Sequence, residues 1–190
     1  NGFGQPWGEV DGHWQALPAG PADHAAAPWQ LGTCTWLALG PQSYLASWFK
    51  DGFGQLGLRH EDGRMARYAS AYTRFRSLAM DSENLYAIAA SPISPPAVIA
   101  IDRRNHEVRV LAGGVEMLPA EQISLPQPIR YGSDGEQAHG FFYPPAQAQG
   151  AAPLVVFIHG GPTSACYPVL DPRIQYWTQR GFAVADLNYR

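Results

Sequence analysis

The feature that most constrains this chain is an internal repeat: NGFGQ at Asn1 to Gln5 returns as DGFGQ at Asp51 to Gln55, and each copy is followed by a further turn signal, VDGH or HEDGR. A repeat spacing of about 50 residues lies in the range of β-propeller blades, roughly 40 to 50. Around the second copy, YLASWF (Tyr44 to Phe49), QLGLRH (Gln55 to His60) and RMARYA (Arg64 to Ala69) read as short strands separated by glycine-bearing turns. A second series follows at LYAIAA (Leu85 to Ala90), AVIAID (Ala97 to Asp102) and VRVLAG (Val108 to Gly113). It superposes on the first at an offset of about 41 to 44 residues. CTWLAL (Cys34 to Leu39) and FRSLAM (Phe75 to Met80) supply a first strand for each series, and four short strands per unit is the blade arrangement. Two blades and the tail of a third do not close a ring of 4 to 8, so further blades are expected upstream of Asn1. The plainer alternative is an all-β protein whose hairpins happen to fall at this spacing.

Gly52, Gly54 and Gly57 match G-x-G-x-x-G after a strand, but no helix pattern follows to receive a pyrophosphate, and the earlier copy has Trp7 at the third place. These are read as turn glycines, and no cofactor is expected. Cys34 and Cys166 have neither C-x-x-C nor zinc spacing, so no disulfide framework and no metal site is expected. A formal net charge of −3 without a basic run argues against nucleic acid as a partner. No apolar stretch approaches the roughly 20 residues of a membrane span, and a soluble, cytoplasmic protein is the expectation. The chain opens without methionine and closes on ADLNYR, where a strand stops; a piece of a longer protein is expected.

Prolines at 119, 126, 128, 144 and 145 mark a change of composition and frame one short strand, AHGFFY (Ala138 to Tyr143). LVVFIH from Leu154 is a continuous apolar run, read as a strand buried on both faces of a parallel sheet. LDPRIQYWTQRG then reads as a helix, with Asp171 as N-cap, Pro172 at its first position, Ile174 and Trp177 on one side and Gly181 past its end. FAVADL (Phe182 to Leu187) is the next buried strand, completing a βαβ unit. The expected organisation is blades over 1–118, a linker over 119–130 and the start of an α/β domain over 131–190.

The loop HGGP between this strand and helix is the candidate for chemistry. Acyl transfer from serine passes through a tetrahedral intermediate with a negative oxygen, and each preorganised N–H donor there is worth roughly 2.7 to 4 kcal/mol. Gly160 and Gly161 let the backbone turn without a Cβ in the way, and Pro162 removes the next N–H and stiffens the turn. In α/β-hydrolases a loop in this place supplies one of the two oxyanion donors, and Gly161 is the candidate. A tight turn that merely joins strand to helix is the bland alternative. His159 orients the loop or touches substrate, or else is a packed loop histidine.

The second donor belongs to a G-x-S-x-G nucleophile elbow, and the chain has none: Ser164 is flanked at those places by Pro162 and Cys166, Ser133 by Tyr131 and Gly135, and Ser43 sits in PQSYL. The Asp and His of a triad follow the Ser in hydrolase order, so none of the three triad residues is assigned here. Histidines 13, 24, 60, 106 and 139 fall in turns or at strand ends and are expected to face solvent.

Two propeller-like blades, then ISLPQPIRYGSDGEQAHGFFYPP, then PLVVFIHGGPTSACYPVLDPRIQYWTQRGFAVADLNYR, resemble the prolyl oligopeptidase family of serine peptidases, and most closely its acylaminoacyl-peptidase and dipeptidyl-aminopeptidase-like branch. The resemblance implies β-propeller blades that filter access by size, followed by an α/β-hydrolase domain that cuts short peptides. It implies Gly161 as oxyanion donor, with His159, Gly160 and Pro162 shaping the loop, and NYR at Asn188 to Arg190 as the start of another glycine-rich loop. Short peptides are the expected partners, and the chain by itself is expected to be inactive. A carboxylesterase of the HGGG kind, or a propeller binding module with a non-catalytic hydrolase remnant, are the other readings.

Overall fold

A computed structural model of the chain describes residues 4–17, 22, 24–27, 29–62, 64–132, 135–147, 150–161 and 163–189. Two compact units emerge, one made of Asn1–Ala89 with Pro96–Gly113, the other of Ala90–Pro95 with Gly114–Arg190. Among the described residues no helix is long and apolar enough to cross a membrane.

The first unit is all β. A hairpin, β1 (Trp7–Val10) and β2 (His13–Ala16), precedes two four-stranded antiparallel meanders. The first meander is β3 (Trp36–Ala38), β4 (Tyr44–Lys50), β5 (Phe53–Arg59) and β6 (Met65–Tyr68). The second is β7 (Arg74–Met80), β8 (Asn84–Ala90), β9 (Ala97–Asp102) and β10 (Val108–Gly113). Turn chemistry sets the registers. Asp51 and Gly52 both have positive φ, 52° and 82°, between paired Lys50 and Phe53, and Asp11 and Gly12 do the same between Val10 and His13. Asp-Gly with both φ positive is the two-residue turn whose twist matches that of the strands it joins.

The two meanders share one buried apolar cluster, with Leu45, Leu56 and Tyr68 from the first and Phe75, Leu78, Leu85, Ile99 and Ile101 from the second. Each fully buried Leu or Ile contributes about 1.5 to 3 kcal/mol. These are propeller blades. Through the sequence repeat, β1 and β2 correspond to β5 and β6, the second half of a blade.

The repeat also has a packing reason. The Gly54 N–H donates to the Thr73 carbonyl at 2.7 Å, and a Cβ at Gly54 would lie 2.6 Å from that same oxygen. Gly4 occupies the equivalent place in the first copy, where its carbonyl accepts from the His24 N–H at 3.2 Å and a Cβ would meet the Ala25 Cβ at 3.0 Å. A glycine here lets the strand lie against the segment that leads into the next blade.

In the second unit, β11 (Gln127–Tyr131), β12 (Ala138–Tyr143), β13 (Leu154–Ile158) and β14 (Ala183–Leu187) form one sheet in the order β11-β12-β14-β13. Only β13 and β14 are parallel, joined through the helix α1 (Pro172–Thr178). The segment read as a linker holds a 3-10 turn at Ala120–Gln122 and most of β11, an edge strand that tolerates Pro128.

One sequence expectation needs correction here. β13 is not buried on both faces: among the described residues it pairs with β14 alone, and Leu154, Val156 and Ile158 are 54, 48 and 65% exposed, while Val155 and Phe157 on the other face are half-buried. An apolar run does not by itself reveal whether a second layer covers it, and among the described residues nothing covers this face. On α1, Ile174 is buried, Trp177 on the same side is half-buried and edge-on to the Phe182 ring, and Gln175 and Thr178 are buried as well. Gln175 can be buried because its amide is matched: Oε1 accepts from the Ser124 N–H at 2.9 Å and Nε2 donates to the Ser124 carbonyl at 3.0 Å.

Asp171 caps α1, its carboxylate accepting from the Arg173 N–H at 2.8 Å, with Pro172 in the first turn. Burial pushes the Asp171 carboxyl up, but the side-chain, backbone and charge interactions of Arg173 more than offset this and hold it below its ordinary value.

Gly54→Ala is expected to lower stability by about 1 to 3 kcal/mol, the cost of overpacking. Denaturant titration checks this, and an unchanged midpoint would contradict the packing account. A carboxyl with a depressed native pKa stabilises above the unfolded value, near 3.9, and loses that contribution as pH falls through the native one. Relative to Asp171→Asn, whose cap does not titrate, the native chain should therefore lose stability between about pH 5 and pH 2. Thermal unfolding across that window reads the difference; parallel curves would rule out the cap as its source.

Candidate active-site loop

Because β13 and β14 are parallel with Ile158 opposite Leu187, the two strands end side by side and the residues that follow them become neighbours. His159, Gly160 and Gly161 follow one strand, Asn188 and Tyr189 the other. The His159 ring stacks on the Tyr189 ring, with centroids 4.5 Å apart and planes 28° from parallel. The Tyr189 hydroxyl donates to the Gly161 carbonyl. Gly161 has φ +73°, in the left-handed region that glycine enters without penalty, and a Cβ there would meet no atom within 4 Å. Both glycines are exposed, so this stretch of backbone borders open space. Pro162 lies outside the described residues.

Asn188 fixes the base of the site. Its N–H donates to the His139 carbonyl at 2.9 Å, its Oδ1 accepts from the Cys166 N–H at 2.8 Å, and its carbonyl accepts from the Tyr131 hydroxyl. Three segments are thereby tied to the end of β14: β11, β12 and the connection after the glycine loop.

Burial raises the pKa of three side chains of this sheet and its connections, Cys166, Tyr143 and Asp186. Burial and the neighbouring Asp186 push the Cys166 thiol up to about 12, so it is no thiolate at neutral pH and no nucleophile. The Tyr143 phenol is raised by burial and then by Asp186, Cys166 and Asp171. Asp186 is itself raised, by burial and by Asp171, against the opposing pull of Arg173 and His159.

Of the serines weighed in the sequence, Ser43 donates to the Arg59 carbonyl at 3.0 Å and ties a strand end. Ser164 is exposed, and among the described residues no hydrogen bond joins it to His159. Ser133 lies outside the described residues. A nucleophile with its base is therefore not assembled among the described residues, nor does any group of three or more His, Cys, Asp or Glu gather there to hold a metal ion. His13, His106 and His139 face solvent as expected, and His60 is half-buried. His24 departs from that expectation: it is 3% exposed, its ring 5.9 Å from that of Trp48, because the stretch before β3 lies against the blade.

The roles of Tyr189 and Asn188 in this contact set were not read from the sequence. A signal existed, since the carboxyl ends of neighbouring parallel strands meet at one edge of the sheet and ligands bind there.

No protein-family model matches the chain. It is 28% identical over 127 residues to the uncharacterized peptidase YuxL of Bacillus subtilis, an alignment that covers 65% of this chain and 19% of that protein. Among solved structures, a Mycobacterium tuberculosis puromycin-hydrolyzing peptidase superposes with a TM-score of 0.85 at 27% identity, over 98% of this chain and 30% of its own. A puromycin hydrolase superposes with a TM-score of 0.83 at 28% identity, over 94% of this chain and 28% of its own. Pyrococcus horikoshii acylaminoacyl peptidase, at 19% identity and a TM-score of 0.65, shares the fold. The chain thus spans less than a third of the length of each of these relatives. With two blades, a β-hairpin of a third and a βαβ unit whose first strand runs into HGGP, the chain is similar to peptidases of the prolyl oligopeptidase family.

Proposed function

We propose that this chain is the propeller-to-hydrolase portion of a serine peptidase that cleaves short peptides through an acyl-enzyme, with the Gly161 N–H as one of its two oxyanion donors. In this reading 1–118 are blades that limit access by size, 119–130 join them to the catalytic domain, and 131–190 begin that domain. The observation that carries it is the place of Gly161: exposed, at positive φ, directly after a parallel strand at the sheet edge where hydrolases bind substrate. His159, Gly160 and Pro162 shape the loop. The relatives in support are a peptidase and puromycin hydrolases, one of the latter solved as an S511A mutant complexed with PGG. Nucleophile, base and orienting acid belong to parts of the protein outside 1–190, so the oxyanion loop alone performs no turnover.

Chemically, the substrate carbonyl would sit against Gly161 while the serine attacks, and the N–H would bind the oxygen as it becomes negative. Because the donor is already in place, no reorganisation is needed when charge develops.

The full-length protein is expected to hydrolyse a short peptide p-nitroanilide and to be labelled by a fluorophosphonate probe on a serine outside 1–190. The 190-residue chain is expected to do neither, and turnover by a pure sample would overturn this assignment. Gly161→Ala in the full-length protein meets no steric obstacle but adopts positive φ at a cost of about 1 to 2 kcal/mol. It should lower kcat by about 10- to 10³-fold with KM little changed. Wild-type kcat in that variant would remove Gly161 from the oxyanion site.

A further inference from the structure

Tyr189 touches the loop on both sides of the peptide group that carries the candidate donor. Its ring stacks on His159, which precedes that peptide, and its hydroxyl donates to the carbonyl of Gly161, which follows it. Two consecutive glycines have broad access to φ and ψ, so Gly160 and Gly161 do not hold an N–H in one direction by themselves. Pro162 brings no N–H with which the exit of the loop could be tied to the sheet. A catalytic donor must nevertheless be fixed to within about 0.5 Å of its productive position. Tyr189 meets this need from a rigid base, because its neighbour Asn188 is hydrogen-bonded to His139, Cys166 and Tyr131.

We propose that Tyr189 is a positioning residue for the oxyanion loop, clamping the 160–161 peptide between its stack on His159 and its hydrogen bond to the Gly161 carbonyl. This rests on the reading of Gly161 as oxyanion donor. The clamp acts on the transition state, since substrate binding in the ground state does not require the N–H to be aimed at the oxygen's later position. Loss of the hydroxyl should therefore appear in kcat and not in KM.

The test uses the full-length protein, with a short N-acylated peptide ester and the same ester carrying sulfur in place of the carbonyl oxygen. Sulfur is larger and a weaker hydrogen-bond acceptor, so the oxo-to-thiono rate ratio reports the oxyanion interaction. Rates are expressed per active site titrated with a fluorophosphonate, which removes any misfolded fraction. Y189F keeps the stack and loses the hydrogen bond. It should lower kcat for the oxo ester about tenfold, less than the 10²–10³ that removal of a donor costs, with KM unchanged and the ratio reduced by a similar factor. Y189L loses both contacts and should approach the full 10²-fold loss. If the wild type prefers the oxo ester while Y189F and Y189L keep both kcat and the ratio, the clamp is refuted and Gly161 retains its role. A fall in kcat and KM together at an unchanged ratio would likewise refute it, leaving Tyr189 a structural role only. If the wild type turns over both esters equally, the oxyanion reading fails and the clamp with it.

Discussion

The parallel register of β13 and β14 is the constraint on which the candidate site depends. Pairing Leu154 with Ala183 and Ile158 with Leu187 brings both strands to an end at the same height, so the glycine loop and the Asn188–Tyr189 segment leave the sheet together. A slip of one residue would exchange the faces that Val184 and its alanine neighbours occupy and part His159 from Tyr189. Register is held by burial of Ala183, Val184 and Ala185, by the antiparallel pairing of β14 with β12, and by the crossover through α1. The geometry of the loop is thus set by interactions well below it.

The two units solve the same problem by different means. The blades bury one apolar cluster between two twisted meanders, and a glycine at the start of β5 lets backbone meet backbone where a side chain would keep them apart. The mixed sheet instead relies on side-chain amides that complete backbone hydrogen bonding. Gln175 serves Ser124 from the buried side of α1, and at the end of β14 the Asn188 side chain serves Cys166 while its backbone groups bond His139 and Tyr131. A buried amide left unmatched would be costly, and here each partner is supplied by a segment distant in sequence.

Most strands were legible because turn chemistry and alternation are local. Asp51-Gly52 names its own hairpin, and Asp171-Pro172 announces the start of a helix. The misreadings share one cause. The exposure of Leu154, Val156 and Ile158 and the burial of His24 depend on what lies across a gap from the residue, which no window along the chain contains. The strand β11 was missed because its prolines and polar residues read as linker, and only pairing with β12 makes it a strand. Of the candidate site, HGGP was readable as a motif, whereas the stack of His159 on Tyr189 was not.

What the sequence determined by itself is the succession of elements: blade-like hairpins spaced by Asp-Gly turns, a βαβ unit with a capped helix, and a glycine pair in the loop between its first strand and that helix. These follow from backbone preferences of a few adjacent residues. Which faces are covered, which buried polar groups find partners, and which tyrosine comes to rest on the glycine loop were decided only by the tertiary structure. Residues about 28 positions apart are neighbours there because two strands lie parallel and in register, and that is a property of pairing rather than of either segment.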